Sequence, residues 1–396
     1  MVHRGTTSMA RSNVLFLSID QLRTDALGCY GGTSSRTPHM DALAKRGVRF
    51  DEAYVSAPSC VPSRATWLTG LYPPEHRAVD NKFPFRAPGL HPLLYRAASD
   101  AGYTTAMLGK THYAPELTES DRVNVFWPYW YTDPVSAADR WRAPNRTDAD
   151  TLEGLLVKAF EGFLAYARTT RPASPWFAHL SFVNPHPPDL CANLPSGRRP
   201  LPASRVQPPR TAFYLYRARL PPEEWNRKWL AYRACYGATV EYVDDMVGAA
   251  LRLVNPTTTL VLLTADHGDM LGDHGVEQKS VFFDQAWRVP LILAGPAVEA
   301  RPNGVERGFA CGPDVPMTLR RAMRAQLTRG HEGVDLRPSA STNASTGCLG
   351  YNFAANSRTM QTATVTKAFK RVYNGSRLWL WFLRSDVWEE HNLAAA

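Results

Sequence analysis

Strand-like and helix-like segments alternate along most of this chain, and this alternation constrains the fold more than any other feature. An apolar run at 14–19 has the pattern of a buried strand, and a helix pattern follows at 37–47 between an N-cap threonine and a C-cap glycine. The alternation continues with strand patterns at 104–109, 176–184, 259–265 and 289–295 and helix patterns at 91–102, 151–168 and 228–254. It predicts an α/β fold in which helices flank a large, mostly parallel central sheet.

The character of the sequence changes near residue 325. Within "TATVTKAFKRVYNGSRLWLWFLRSD" an Asn-Gly pair at 374–375 separates two strand-like runs, which is a strong hairpin signal. We therefore expect a catalytic α/β domain over 1–325 and a small antiparallel subdomain over 326–396. The proline- and arginine-rich segment 185–222 is predicted to be a long surface loop, either a solvated connector or a lid over a site.

Charge and cysteine usage exclude several classes of protein. The net charge of +9 is a mild excess over 396 residues; it suits an anionic substrate, and no nucleic-acid-binding motif accompanies it. The six cysteines are widely separated, so we predict neither a disulfide framework nor a zinc site. No apolar run approaches the length of a membrane span, and the first one is short and ends at Asp20. We expect a cytoplasmic protein with no nucleic-acid or membrane partner.

Polar and ionisable side chains follow four of the predicted strands. Any one of them could be a turn or cap residue, but open α/β sheets build their ligand sites at the carboxyl ends of strands. Because such a pair follows each of four strands, a common site is favoured. Its residues are Asp20 and Gln21, Lys110 and His112, Asn184 and His186, and Asp266 and His267.

The composition of this set suggests a metal-assisted reaction on an anion. Oxygen-rich ligation suits Ca²⁺, Mg²⁺ or Mn²⁺, and the candidate ligands are Asp20, Gln21, Asp266 and His267. Cationic or proton-carrying side chains would bind a tetrahedral oxyanion and neutralise a leaving oxygen; the candidates are Arg64, Lys110, His112, His186 and Lys279.

Cys60 opens the stretch "CVPSRATWLTG", which reads as a helix that begins at this residue and ends near Gly70. A helix N-terminus favours negative charge, so Cys60 could be a thiolate nucleophile. An ordinary buried thiol is the other reading. A soft thiolate is a poor partner for a hard, oxygen-ligated cation, and the residues alone leave this conflict open.

The same stretch carries C-x-P-S-R followed by A-x-x-L-T-G, and in this it resembles the type I sulfatases of the alkaline phosphatase superfamily. Other blocks resemble that family in its order: "NVLFLSIDQLRTDALGCYG", "AGYTTAMLGKTHY", "SFVNPHPP", "LTADHGDMLGDHG" and the closing "DVWEEHNLA". The resemblance implies an alkaline phosphatase-like fold and hydrolysis of a sulfuric ester, R–O–SO₃⁻, to alcohol and sulfate.

The resemblance also implies that Cys60 is a precursor. In the family a maturation enzyme oxidises this cysteine to Cα-formylglycine; one hydroxyl of its hydrate attacks sulfur, and the second allows sulfate to leave by C–O cleavage. Carried over by motif, the metal ligands are Asp20, Gln21, Cys60 in its modified form, Asp266 and His267, with Ca²⁺ expected first and Mg²⁺ or Mn²⁺ as alternatives. The catalytic set is Cys60, Arg64, Lys110, His112, His186 and Lys279.

One departure from the family pattern affects the function. Many members carry a second aspartate where this chain has Gln21, and the Asp-Gln pair also occurs in relatives like choline-sulfatase and phosphonate monoester hydrolase. Hydrolysis of phosphonate or phosphate esters, and an unmatured, non-catalytic anion-binding role, are therefore alternatives. The expected substrate is a small-molecule or carbohydrate sulfate ester. The motifs do not choose between His186 and Lys279 as the donor of a proton to the leaving oxygen.

Overall fold

Two β-sheets with flanking helices form the structure. This computed structural model describes residues 11–82, 85–86, 89–90, 92–113, 123–129, 151–187, 198–209, 221–298, 304–337, 346–353, 360–383, 386, 389 and 391–395. The strands of the larger sheet are β1 (Asn13–Ile19), β2 (Val48–Tyr54), β3 (Thr104–Lys110), β4 (Val125–Tyr129), β5 (Trp176–Phe182), β6 (Thr259–Ala265), β7 (Leu291–Ala294) and β8 (Val305–Cys311). The helices are α1 (Pro38–Lys45), α2 (Cys60–Thr69), α3 (Pro73–His76), α4 (Leu94–Asp100), α5 (Leu152–Thr170), α6 (Pro222–Arg252), α7 (Asp284–Trp287) and α8 (Asp314–Met323).

The larger sheet is mixed but mostly parallel, with the order β4-β3-β5-β1-β6-β7-β2-β8. Strand β1 is central and pairs in parallel with both β5 and β6; Leu17, for example, lies between Leu180 and Leu263. The strand is buried from Val14 onward, as expected where helices cover both faces of a sheet. β7 is antiparallel to both of its neighbours. The predicted α/β architecture is confirmed.

Two helices show how local sequence signals set element boundaries. Helix α2 begins at Cys60, as predicted, and ends at Gly70, whose φ of 81° lies in the left-handed region that glycine adopts without strain. The prediction for α6 was wrong at its start, because the helix begins at Pro222 rather than at residue 228. Proline suits a first helical turn, and Glu223 and Glu224 there complement the helix dipole.

The smaller sheet is antiparallel and has the order β12-β11-β10-β9. Its strands are β9 (Gly347–Phe353), β10 (Met360–Thr366), β11 (Phe369–Tyr373) and β12 (Leu378–Phe382). Tyr373 pairs with Leu378 across the predicted Asn374–Gly375 hairpin, and the Asn374 side chain accepts a hydrogen bond from the Arg377 N–H at 2.8 Å. The antiparallel C-terminal unit is confirmed; its boundary at 325/326 stays a prediction.

The proline- and arginine-rich segment is only partly described. Over 198–209 it contains a single short 3₁₀ turn, Ala203–Arg205, and no strand, as a loop would. Residues 188–197 and 210–220 lie outside the described part of the chain. None of the described helices is both long enough and apolar enough to cross a lipid bilayer.

The expectation of no disulfide was wrong. Cys311, at the end of β8, is bonded to Cys348 in β9, with their Cα atoms 5.5 Å apart; Cys235 is also disulfide-bonded. Spacing along the chain could not reveal this, because folding brings together two strands that are 37 residues apart in sequence. Disulfides persist mainly in oxidising compartments, and the cytoplasmic location stays an untested prediction.

A buried charge cluster joins the two sheets. Lys370 of β11 is fully buried, and its ammonium pairs with the carboxylates of Asp284 in α7 and Glu389 near the C-terminus. The Asp284 N–H also donates to Glu389 Oε2 at 2.9 Å. Burial alone would lower the pKa of Lys370, but the two carboxylates outweigh it and raise that pKa. The smaller sheet, through Lys370, and Glu389 near the C-terminus are therefore both tied to α7.

Lys370→Met should destabilise the fold by about 3–5 kcal/mol, because it leaves the buried Glu389 carboxylate and the partly buried Asp284 carboxylate without their shared cation. Urea unfolding followed by tryptophan fluorescence measures this loss. The matched control is Arg371→Met on the same strand, whose side chain is exposed and whose change should stay within about 0.5 kcal/mol. Equal unfolding midpoints for the two variants would contradict the cluster's role.

Candidate active site

The predicted site residues meet at one edge of the larger sheet. β3, β5, β1 and β6 are adjacent and parallel, so their carboxyl ends lie side by side. Asp20 directly follows β1, Lys110 is the last residue of β3, and Asp266 directly follows β6. His186 follows β5 in a turn, where its N–H donates to the Val183 carbonyl at 3.0 Å.

Cys60 lies at the centre of these groups and is 1% exposed. Its Sγ is 3.1 Å from His267 Nε2, accepts a hydrogen bond from Lys279 Nζ at 3.1 Å and lies 3.9 Å from Lys110 Nζ. Burial raises the pKa of the Cys60 thiol, although Lys279 opposes this. The unmodified thiol is therefore protonated at neutral pH. This disfavours the interpretation of Cys60 as a thiolate nucleophile.

Arg64, one turn further along α2, connects three strand ends. Its Nε donates to Asp266 Oδ2 at 2.7 Å, and its Nη1 donates to the Lys110 carbonyl and to Ser181 Oγ, both at 2.8 Å. Burial alone would raise the pKa of Asp266, but Arg64, followed by His267 and Lys110, holds it well below the usual range. Asp266 is therefore a carboxylate at any physiological pH.

Four buried donors could hold a metal ion: Asp20, Cys60, Asp266 and His267 each place one ligand atom within 4.8 Å of the others. Asp20 Oδ1 is buried and has no hydrogen-bond partner, as expected of an oxygen reserved for a cation. His267 Nδ1 donates to the Gly268 carbonyl at 2.8 Å, so its Nε2, which faces Cys60 Sγ at 3.1 Å, carries the lone pair that could bind a cation. Burial lowers the pKa of His267 to about 3. These side chains fit a divalent cation.

Gln21 lies between this donor group and Lys279. Its N–H donates to Asp266 Oδ1 at 3.1 Å, its Nε2 donates to Asp269 Oδ2 at 2.6 Å, and its Oε1 accepts from Lys279 Nζ at 2.9 Å. An amide oxygen has a second lone pair, so this geometry is compatible with metal ligation. The role of Gln21 as a ligand stays a prediction.

Lys279 and His186 form a hydrogen-bonded pair. Lys279 Nζ lies 2.9 Å from His186 Nε2, and with Gln21 and Cys60 this contact accounts for all three N–H donors of the ammonium group. His186 Nε2 must then accept, so its proton is on Nδ1, which donates to the Pro187 carbonyl. Burial lowers the pKa of His186.

Lys110 and His112 complete the predicted set. The Lys110 ammonium pairs with Asp20, and burial, followed by the charge of Lys279, lowers the pKa of Lys110 to about 7. His112 Nδ1 is buried without a hydrogen-bond partner. Burial, with the charge of Lys110 adding to it, lowers the pKa of His112 well below its usual value. A neutral imidazole with a free ring nitrogen thus lies beside the cationic groups.

Sequence reasoning missed three residues that hold this arrangement. Asp269 lies two positions after His267 in "ADHGD" and binds Gln21; its place in that block was the available signal. Asn81 Oδ1 accepts from the Val61 N–H at the start of α2, at 2.9 Å. Ser181 binds Arg64. No sequence motif around Asn81 or Ser181 predicts that these residues bind the Val61 N–H and Arg64.

The sequence model of the family described as Sulfatase matches residues 12–318, which include every residue of this site. The chain belongs to the Sulfatase family. It is 28% identical over 329 residues to a choline-sulfatase of Rhizobium meliloti (strain 1021), with 73% of this chain and 63% of that protein covered. It is 25% identical to an arylsulfatase of Clostridium perfringens (strain 13 / Type A), with 72% of this chain and 69% of that protein covered.

The fold of this family member is also that of solved structures. A phosphonate monoester hydrolase of Agrobacterium radiobacter superposes with a TM-score of 0.80 and 23% identity, covering 97% of this chain and 92% of the other. At that identity the likeness shows the fold alone. The chain spans less than two-thirds of the length of the choline-sulfatase that it matches.

Divalent cation should stabilise the protein through the four-donor group. At 100 times the dissociation constant, Ca²⁺ should add about 2.7 kcal/mol to the free energy of unfolding, measured as a rise in the thermal midpoint over the EDTA-treated protein. Asp266→Asn should abolish the rise. Asp273→Asn, a buried residue of the same loop that pairs with Arg23, should keep it. A rise that persists in Asp266→Asn would place the cation elsewhere.

Proposed function

We propose that the protein hydrolyses sulfate esters to alcohol and sulfate, after a maturation enzyme has converted Cys60 to formylglycine. One observation carries this proposal: the side chain at position 60 is buried among metal-ligand candidates on one side and ammonium groups on the other. These neighbours would not activate a protonated thiol. An oxygen nucleophile at the same position would contact a hard cation and would face the groups that bind the oxyanion.

Two groups that the chain must acquire supply the nucleophilic chemistry. Hydrated formylglycine provides two geminal hydroxyls, one to attack sulfur and one whose deprotonation releases sulfate by C–O cleavage. A divalent cation, with Ca²⁺ the first candidate and Mg²⁺ or Mn²⁺ the alternatives, provides Lewis-acid activation and charge neutralisation. The residues that would hold it are Asp20, Asp266, His267, residue 60 and, through its free lone pair, Gln21.

The remaining side chains bind and orient the anion. Arg64 is fixed by Asp266 and Ser181, and it presents an unpaired buried Nη2 that can orient residue 60. Lys110 Nζ and Lys279 Nζ lie 3.9 Å and 3.1 Å from Cys60 Sγ, where they would bind sulfate oxygens. His112, neutral and with a free Nδ1, is the group placed to accept a proton when sulfate leaves.

The hydrogen bonds support Lys279 as the donor of the leaving-group proton. His186 Nε2 accepts from Lys279, so His186 has no proton on the nitrogen that faces the site. Lys279 carries three, and one of its contacts is the atom at position 60. Lys279 is therefore the general acid, and His186 orients it.

Hydrolysis of phosphonate or phosphate esters is the second candidate, because the Asp20–Gln21 pair resembles that of phosphonate monoester hydrolases as well as that of choline-sulfatases. Gln21 provides an amide where many sulfatases have a carboxylate, so the site holds one fewer negative charge. Sulfate monoesters and phosphonate monoesters are both tetrahedral monoanions, and the contacts described above would bind either. A non-catalytic anion-binding role requires that Cys60 is never converted.

Relative rates decide between the two ester classes. We expect 4-nitrophenyl sulfate to be hydrolysed with a kcat/KM at least about 10-fold above that of the 4-nitrophenyl ester of phenylphosphonate, a difference of about 1.4 kcal/mol in transition-state binding. Liberated nitrophenolate is measured by absorbance, with Cys60→Ala as the inactive control. The reverse ratio would favour the phosphonate hydrolase. A Cys60 that stays unmodified in a host that matures a control sulfatase, with no turnover of either ester, would favour the anion-binding role.

A further inference from the structure

We propose that Asp269 is a positioning residue that fixes Lys279 through the side-chain amide of Gln21. The inference deepens the proposed function and rests on it for the consequence in catalysis. Its structural basis is a chain of two hydrogen bonds, 2.6 Å from Gln21 Nε2 to Asp269 Oδ2 and 2.9 Å from Lys279 Nζ to Gln21 Oε1. Asp269 and Gln21 are buried, with exposed fractions of 1% and 0%.

The chemistry of the two end groups fixes the direction of the amide. An ionised carboxylate only accepts hydrogen bonds, and an ammonium group only donates them. If the Gln21 amide were turned by 180°, its NH₂ would face the Lys279 ammonium and its oxygen would face Asp269. Both contacts would then be repulsive, so the carboxylate of Asp269 determines that an acceptor faces Lys279. Charge assistance strengthens both bonds.

Asp269 is itself held firmly in place. Its Oδ1 accepts from the Leu271 N–H at 2.9 Å, and its backbone carbonyl accepts from Arg23 Nη1 at 2.9 Å. At the other end, the Gln21 carbonyl accepts from Tyr236 Oη at 2.8 Å. Asp269 and Gln21 are thus both anchored by further hydrogen bonds. The two hydrogen bonds that lead from Asp269 to Lys279 therefore have little freedom to shift.

Lys279 needs such an anchor. A lysine side chain is flexible, and its charge is a point rather than a fixed fork. Of the three contacts of Lys279 Nζ, the one to Cys60 changes when that residue is modified, and the one to His186 involves a second ionisable group. The Gln21 contact is the remaining one. Displacement of a reacting group by about 1 Å can cost about 10²-fold in rate, so loss of this anchor should slow protonation of the leaving oxygen.

Asp269→Asn tests the proposal with little change of shape. An asparagine oxygen can accept from Leu271 or from Gln21, while its NH₂ must face the other donor. One of the two hydrogen bonds that Asp269 accepts is therefore lost. Asp273→Asn is the matched control: Asp273 is 1% exposed, belongs to the same loop and binds Arg23 and Arg233. Within the described residues it has no contact to Gln21 or Lys279, but it holds Arg23, whose Nη1 also binds the Asp269 carbonyl, so it reports the structural effect of loosening this loop.

The leaving-group dependence separates positioning from a general structural effect. Phenyl sulfate, whose leaving group is poor, needs protonation more than 4-nitrophenyl sulfate does. For Asp269→Asn we expect kcat to fall about 10²-fold on phenyl sulfate and about 10-fold or less on 4-nitrophenyl sulfate, within the usual range for general acid catalysis. Asp273→Asn should lower both rates by one common factor. A common factor for Asp269→Asn as well would overturn the proposal.

A crystal structure of Asp269→Asn provides a readout that does not depend on turnover. The expected result is that Lys279 Nζ leaves Gln21 Oε1, while the structure of Asp273→Asn keeps that contact. An unchanged Lys279 in Asp269→Asn would overturn the proposal. If the wild-type protein hydrolyses neither sulfate ester, the proposed function fails, and the two crystal structures still decide the positioning role. If Asp269→Asn does not fold, Asp269→Ser is measured in the same way.

Discussion

Cys60 lies among five charged side chains, and the rest of the site depends on this concentration of charge: four of them are buried and Lys279 is partly buried. Arg64, Lys110 and Lys279 contribute the positive groups, and Asp20 and Asp266 the negative ones. The cost of burying these charges is offset by direct pairs, such as Arg64 with Asp266 at 2.7 Å and Lys110 with Asp20. The guanidinium and ammonium groups, with a divalent cation beside them, would suit an anion at this site; burial lowers the pKa of Lys110 to about 7, so its charge depends on pH.

The same environment determines what position 60 can do. Burial raises the pKa of the Cys60 thiol, so the site does not produce the thiolate that a cysteine hydrolase would need. The free Asp20 Oδ1 suits a hard cation, and a hard cation prefers an oxygen to a sulfur at this position. Conversion of Cys60 to formylglycine would resolve the conflict that the unmodified residue leaves.

The larger sheet, and the fact that the site residues lie close together, could be predicted from the sequence because both follow from local patterns. Buried apolar runs predicted β1 and β6, and parallel strands place the residues after their carboxyl ends at one edge; Asp20 and Asp266 therefore met as expected. The Cys311–Cys348 bond and the antiparallel direction of β7 depend on contacts between distant segments, which spacing does not encode. Asp269 was missed for a related reason, since its function is set by its partner, Gln21, 248 residues away along the chain.

The mass of one tryptic peptide tests the central claim most directly. Cleavage after Arg49 and Arg64 releases "FDEAYVSAPSCVPSR", which contains position 60. In protein made by a host that matures a control sulfatase, the account predicts that this peptide carries formylglycine in place of cysteine. A peptide that contains only unmodified cysteine in that host would contradict the formylglycine mechanism for this chain.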